Sequence, residues 1–520
     1  MKSILNLIPE QISRIKKSTF LKITFILTGI ASTIWFLIRV IPKPQRATYP
    51  CMRIAAPIMS GFVIWLLSLA GSVAAFRKAK LNFMQSKYLY GSLFMLIAFA
   101  GSLFLVSRET GSASAKSNAE WIVLPNQPMG TAKGIFPGRV VWVHDPSVAS
   151  WDGTTGNWWD ENVTSQSESD KMLKESLTTL TGEKTEKKAW TAIFKYANYR
   201  HNIKNQDYRP GQKIAIKINS NNTYSHQNSP EINATPQLVL SLLKSLVTEA
   251  GILQDKITVF DASRFITDNI FDKCHAVFPG VIFVDNTGGD GRVKSTYTDN
   301  AIPYSVDNGK LATGLATCAV EADYLINMAL LKGHVGQGVT LCAKNYYGVT
   351  SIDNNWRKNA HNNFSPDRQG TPQYLTFVDF IAHKDLGDKT MLFLIDGIYG
   401  SKLVNGAPGP KWKMEPFNGS WGCSLLASQD PVAIDAVGLD FLRCEWPDAP
   451  DMAFSDQYLI EAAMADNPPS KTKYDPQRNN ARISSLGAME HWNNAKEKKY
   501  SRNLGKKVGI ELVQRSLATK

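Results

Sequence analysis

Between Gln212 and Asp261 the chain reads strand, helix, strand, and that order constrains the fold more than any other stretch. QKIAIKIN (Gln212–Asn219) is an apolar run of strand length that follows the turn residues Pro210 and Gly211. TPQLVLSLLKSLVTEAG then sets Thr235 as N-cap, Pro236 at the first helical position and Gly251 as the stop. KITVFD (Lys256–Asp261) is the next strand. A short connection of this kind forms a right-handed crossover in a parallel sheet.

Strands covered by helices on both faces read as near-continuous apolar runs. Gly138–His144, Val281–Asp285, Tyr324–Ala329 and Thr390–Asp396 have that form. Apolar residues at helical spacing predict helices over Lys171–Leu180, Lys187–Tyr199, Phe265–Phe278, Leu311–Ala322, Gln373–His383 and Asp430–Cys444, the last with Asp430 as N-cap and Pro431 behind it. The expected class is α/β: a mostly parallel sheet with helices on both faces, in Rossmann-like layering, over residues 138–466. Residues 109–137 read as a polar linker and 467–520 as a polar extension, with Val508–Val513 its apolar exception.

The formal net charge of +13 suggests a nucleic-acid or anionic-membrane partner until it is divided by position. Residues 1–108 hold 14 of the 58 Lys and Arg but one of the 45 acids, Glu10, so the remainder is neutral. A basic face for nucleic acid therefore has no compositional support. The first 108 residues contain three apolar segments, Ile23–Ile38 (extendable to Ile41), Ile54–Phe76 and Tyr88–Ser107, and the last two carry no charge across a length that can cross a bilayer. They predict an all-α transmembrane segment; a cleaved signal peptide is the alternative for the first of them. Nine basic residues flank the side that holds the N-terminus and six the other, which orients the chain with a cytoplasmic N-terminus and an extracytoplasmic C-terminal domain in a bacterial-type inner (plasma) membrane.

Six cysteines, Cys51, Cys274, Cys318, Cys342, Cys423 and Cys444, occur singly, so there is no iron–sulfur signature and no zinc-ribbon spacing. They read either as small buried hydrophobes or as disulfide partners. Trp151–Thr164 (WDGTTGNWWDENVT) is a loop whose tryptophans either stack on sugars or pin the loop to the body.

Chemistry concentrates in ADYLINMALLKGHVGQGVTLCAKNYYG (Ala322–Gly348), a buried strand that emerges as a polar segment at a carboxyl end, where α/β sheets bind ligands. It carries Lys332, His334, Lys344 and Asn345; the strand ends at 217 and 396 add Lys217, Asn219 and Asp396. His334 is the candidate catalytic residue, as general acid or base, metal ligand or plain loop histidine. Lys217, Lys332 and Lys344 are candidates to hold an anion, Asn219 and Asn345 to orient it, and Asp396 to complete the wall. A divalent metal needs ligands from separate loops, with Asp396, Asp430 and Asp435 the available carboxylates. Gly397–Pro410 (GIYGSKLVNGAPGP) has neither a P-loop nor a dinucleotide pattern and is read as a wall or lid, or as a structural turn.

Lys217 with Asn219, the Thr235-Pro236 helix, Lys332-x-His334, Lys344-Asn345 with Gly348, Asp396-Gly397 and Asp430-Pro431-Val432-Ala433 with Asp435 occur in one order. The series resembles the family of domains of unknown function numbered 362, over roughly residues 138–450. The resemblance implies an α/β fold and a site but no settled reaction. Many members carry a ferredoxin-like cysteine cluster or accompany redox enzymes; this chain has no such cluster. The expected function is a membrane-anchored enzyme domain acting on a small anionic substrate, with a ligand- or metal-binding module and a structural partner of an envelope complex as alternatives.

Overall fold

The computed structural model describes residues 124–220, 223–307, 309–351 and 371–517, with scattered helical positions between 30 and 96. The chain divides into two compact units, Met1–Asn118 and Ala119–Lys520. In the first, residues 73–82 are helical; Ala75 and Ala79 are buried while Val73, Phe76 and Leu81 face outward. Most of the three apolar segments lie outside the described residues, as does all of His361–Gly370, a stretch whose sequence reads as a polar loop. Among the described residues no helix is long and apolar enough to cross a membrane.

The second unit is built on a ten-stranded sheet. Its strands in chain order are β1 (Arg139–His144), β2 (Ile214–Lys217), β3 (Ile257–Asp261), β4 (Ile282–Asp285), β5 (Val293–Lys294), β6 (Tyr324–His334), β7 (Gly338–Thr340), β8 (Thr390–Ser401), β9 (Ser424–Ser428) and β10 (Glu511–Ser516). Across the sheet they run β10-β1-β9-β8-β6-β2-β3-β4-β5, with β7 paired to β6. β9 is antiparallel to both neighbours and β7 to β6; every other pairing is parallel. The expected mostly parallel α/β sheet is present.

Alternation along β1 shows why both faces need cover. Val140 and Trp142 enter one core, Val141 and Val143 the other. The second core is closed by α1 (Gln166–Thr181), α2 (Glu186–Arg200), α3 (Pro236–Lys244) and α4 (Asp268–Val277). The first is closed by α5 (Cys342–Asn345), α6 (Thr376–Ala382), α7 (Pro431–Glu445) and α8 (Gln457–Ala463). β2, α3 and β3 form the crossover legible in the sequence.

Local chemistry sets the helix ends. Asp430 Oδ1 accepts from the N–H of Val432 at 3.1 Å and Ala433 at 2.9 Å, ahead of Pro431. Its other oxygen accepts from Lys133 N at 2.8 Å and Ala488 N at 3.1 Å, so one carboxylate joins the helix to segments from both ends of the unit. Thr235 occupies the N-cap position of α3, but its side chain makes no capping bond. Beyond Lys244 the helix widens into a π-turn, Ser245–Glu249, and Gly251 ends the segment at φ 72°.

Three expectations are corrected or extended. Leu311–Ala322 is not a helix: Ala312–Ala316 pairs with Tyr297–Pro303 as a hairpin, followed by the single turn Thr317–Val320. An added Cβ on Gly314 would sit 3.0 Å from Thr298 O, so the absence of a side chain permits this close strand approach. β6 extends past Ala329 to His334, because β7 pairs with Lys332, Gly333 and His334 and Ser401 pairs with Lys332. The tryptophan loop is pinned: Trp158 is 1 % exposed, and Trp151 stacks on Trp421 with centroids 5.4 Å apart. Five cysteines are free, with Cys274, Cys342 and Cys423 buried; Cys51 lies outside the described residues.

Candidate functional site

A cavity of about 180 Å³ opens at the carboxyl ends of β2, β3 and β6. Five of the expected site residues line it: Lys217, Asn219, His334, Lys344 and Asn345. Val404 and Asn405, from the segment expected as a wall, close one side. Asp261, Arg264, Thr340 and Tyr347 also line it, although the sequence pattern did not single them out.

The floor is a buried polar relay. Lys217 ends β2 and is 2 % exposed; its Nζ donates to Ile218 O at 2.5 Å, to Asp261 Oδ2 at 3.1 Å and to Asn345 Oδ1 at 3.0 Å. Burial alone would raise the Asp261 carboxyl pKa, but the Lys217 charge and the Ser220 N–H hold it below its ordinary value. Asn345 Nδ2 donates to Asn327 Oδ1 at 2.8 Å, locking the amide to β6. Gly348 must be small here, since a Cβ would lie 2.7 Å from Lys217 Nζ.

The two walls are positioned from behind. Asp435 on α7 accepts from the N–H groups of Cys342 at 2.8 Å and Ala343 at 2.9 Å, and from Tyr458 Oη at 3.0 Å. It anchors the turn that presents Lys344 and Asn345. Burial pushes its pKa up to about 6 against those donors. Lys344 Nζ sits 4.6 Å from the Tyr347 ring centroid, within cation–π range. Arg264 lies over Tyr224 at 5.1 Å and donates to Ser263 O at 2.9 Å. Among the described residues three cations thus line the cavity with one carboxylate, Asp261, which is already engaged.

His334 ends β6 at the rim and is partly exposed. Its Nδ1 lies 2.5 Å from the Val335 carbonyl, which can only accept; Nδ1 therefore carries a proton, and Nε2 is the basic nitrogen of the neutral ring.

Two candidates stand outside the lining. Lys332 is fully buried, with Nζ donating to Val404 O at 3.3 Å; burial lowers its pKa to about 7. It shares a strand face with His334 and pairs across the ladder with Thr340, both of which line the cavity. Asp396 is buried inside β8, accepting from Thr235 N at 2.8 Å and Ile398 N at 3.1 Å, so it fixes the start of α3. Asp396, Asp430 and Asp435 are each committed to backbone N–H donors. Among the described residues no three His, Cys, Asp or Glu side chains are grouped to hold a metal ion.

Asp261 carries a recognisable signal, an acid closing an apolar strand next to the Lys217 strand end. Arg264 and Tyr347 left none, being ordinary in loops.

Residues 214–440 match the family model described as Domain of unknown function (DUF362). The match runs from β2 into α7 and includes every residue that lines the cavity. No curated protein matches the chain.

Proposed function

We propose, from the DUF362 match over residues 214–440 and the strand-end cavity within it, that this domain is an enzyme that binds a small anion and moves a proton through His334. The observation that carries the reading is the charge balance of the lining: Lys217, Lys344 and Arg264 converge around one carboxylate that is already paired. An anion entering there meets the Lys344 and Arg264 cations, while Lys217, whose three N–H groups are spent on Ile218 O, Asp261 and Asn345, holds the floor in place. His334 Nε2, basic in its neutral tautomer, accepts a proton from the bound molecule.

The test is calorimetric titration of the full-length chain with inorganic phosphate and small carboxylates, followed by product analysis. Lys344→Ala is expected to weaken binding at least about tenfold with an unchanged circular dichroism spectrum. His334→Ala is expected to slow conversion roughly 10²-fold or more while binding persists. Anion affinity unchanged in Lys344→Ala refutes the site; binding without conversion by the parent chain assigns the pocket to ligand capture.

The first 108 residues are proposed to anchor this domain in a bacterial-type inner membrane, with the domain extracytoplasmic. Support comes from the apolar segments, from the flanking charges and from the outward side chains of Ile34, Trp35, Ile38 and Phe76. Thiol labelling of Cys51 and protease access to a C-terminal tag test it; a tag reachable only from the cytoplasmic side refutes the orientation.

A further inference from the structure

One atom in the cavity specifies more than charge. The orientation of each amide follows from a carbonyl that can only accept. Asn327 Nδ2 donates to Cys342 O at 2.9 Å, which leaves Asn327 Oδ1 to accept from Asn345 Nδ2 at 2.8 Å. Asn345 Nδ2 also reaches the carbonyls of Lys217 and Met328, at 3.2 and 3.3 Å. Asn345 Oδ1 is therefore its acceptor end, and it receives Lys217 Nζ at 3.0 Å and Asn219 Nδ2 at 3.2 Å. The relay engages Asn219 through Nδ2 and leaves Oδ1 as the other end of that amide. Asn219 is 5 % exposed and lines the cavity, and this oxygen has no hydrogen-bond partner among the described residues.

Thr340 on β7 brings a hydroxyl, which can donate as well as accept. It is 2 % exposed, lines the same cavity, and its Oγ1 has no partner among the described residues. A buried acceptor without a partner is costly, so a ligand that supplies a donor to Asn219 Oδ1 gains that energy on binding. On a small anion the simplest such donors are a hydroxyl and an ammonium. Among the described residues Asp261 is the one carboxylate in the lining, and it is taken up by Lys217 Nζ, Ser220 N at 3.0 Å and Ser263 N at 3.2 Å. An ammonium would face Lys217 and Arg264 without a counter-charge; a hydroxyl brings no charge.

Resting on the anion reading above, we infer that the ligand is a hydroxylated anion, a small carboxylate or phosphate whose hydroxyl donates to Asn219 Oδ1 while Thr340 Oγ1 meets its acidic group. The hydroxyl discriminates, because an analogue lacking it leaves the Asn219 oxygen buried beside an apolar group.

Titration of the full-length chain with matched probes tests this: 2-hydroxybutyrate, butyrate and 2-aminobutyrate in one series, glycerol 3-phosphate and propyl phosphate in the other. The hydroxylated member of at least one series is expected to bind about tenfold or more tightly than its matched analogues, and the series that shows it identifies the acidic group. Asn219→Leu is expected to abolish that preference, so that the hydroxylated and deoxy members of a series bind within about twofold of each other. Butyrate and propyl phosphate binding as well as their hydroxylated counterparts, or 2-aminobutyrate binding best, overturns the inference while the anion reading stands. No binding by any probe overturns both. The comparison among probes on the parent chain needs no variant, so it holds even where Asn219→Leu does not fold.

Discussion

Replacing Lys217 by Met removes the cation from a pair whose side chains are 2 % and 3 % exposed and whose atoms are 3.1 Å apart. At an effective dielectric of about 20 the Coulomb attraction at that distance is roughly 5 kcal/mol. Breaking a buried pair by deleting one partner costs about 3–5 kcal/mol, since the survivor is left charged and unpaired. The expected loss of stability at neutral pH is therefore about 3–5 kcal/mol. The pH dependence has a definite sign. In the parent chain the folded Asp261 pKa is depressed, so the pair stabilises fully above the unfolded carboxylate value of about 3.9 and fades as pH falls through the lower folded value. In Lys217→Met, burial acts on Asp261 without its main opposition, the carboxyl takes a proton, and the deficit shrinks as pH falls toward about 5. Adding Asp261→Asn removes the stranded charge and is expected to recover about half the loss or more. Urea unfolding followed by tryptophan fluorescence, at pH values between about 5 and 7.5, measures all three chains. A loss below about 1 kcal/mol at neutral pH, or no recovery in the double variant, refutes the electrostatic account of the cavity floor.

Lys332, lowered to about 7 by burial behind Val404, becomes a further cation as pH falls through that value. Anion affinity is expected to rise between about pH 8.5 and 6, and Lys332→Met to flatten that rise without changing the affinity at the alkaline end, as titration at each pH will show. Gly348→Ala places a methyl 2.7 Å from Lys217 Nζ and 2.9 Å from Asp261 Oδ1; anion affinity should fall at least about tenfold, and retention of parent affinity would contradict the packing of the floor. His491 donates from Nδ1 to Asp440 at 2.6 Å; burial alone would lower its pKa, but Asp440 and Asp456 outweigh that and raise it to about 9. This contribution, on the order of 3 kcal/mol, is complete below the unfolded value of about 6.5 and is lost as pH rises through about 9. In thermal unfolding His491→Gln should lack that alkaline slope.

The sheet was legible wherever a strand is buried on both faces, because Val, Ile and Leu then run without interruption, as in β1, β2 and β3. Asp430-Pro431 was legible because a cap and a first-turn proline act within a few residues. Sequence failed where a distant partner decides. The hairpin strand Ala312–Ala316 exists because Tyr297–Pro303 lies beside it, and its small residues suit helix and strand alike. Lys332 looked like a loop residue, yet ladder pairing with Thr340 and Ser401 keeps it in β6. Asp396 resembled a site carboxylate; the backbone N–H of Thr235, at the N-cap of α3, engages it instead. At the cavity the cations were visible one by one. Their convergence was not, because Asp261, Arg264 and Lys344 meet only through the order of β2, β3 and β6 in the sheet.

The position of β1 bears on how the chain is made. It is the earliest-synthesised strand of the sheet, but its ladder neighbours β9 and β10 arrive much later: Trp142 and Ser424 are 282 residues apart, Arg139 and Glu511 372. At roughly 5–20 residues per second, β1 spends on the order of 15–60 s without its first sheet partner. Contacts of such long sequence separation close slowly, and an unpaired apolar strand is the kind of segment that associates with other chains meanwhile. During synthesis α1 is the first helix able to cover a face of β1, and a ribosome stalled before residue 424 would display the strand with both edges open.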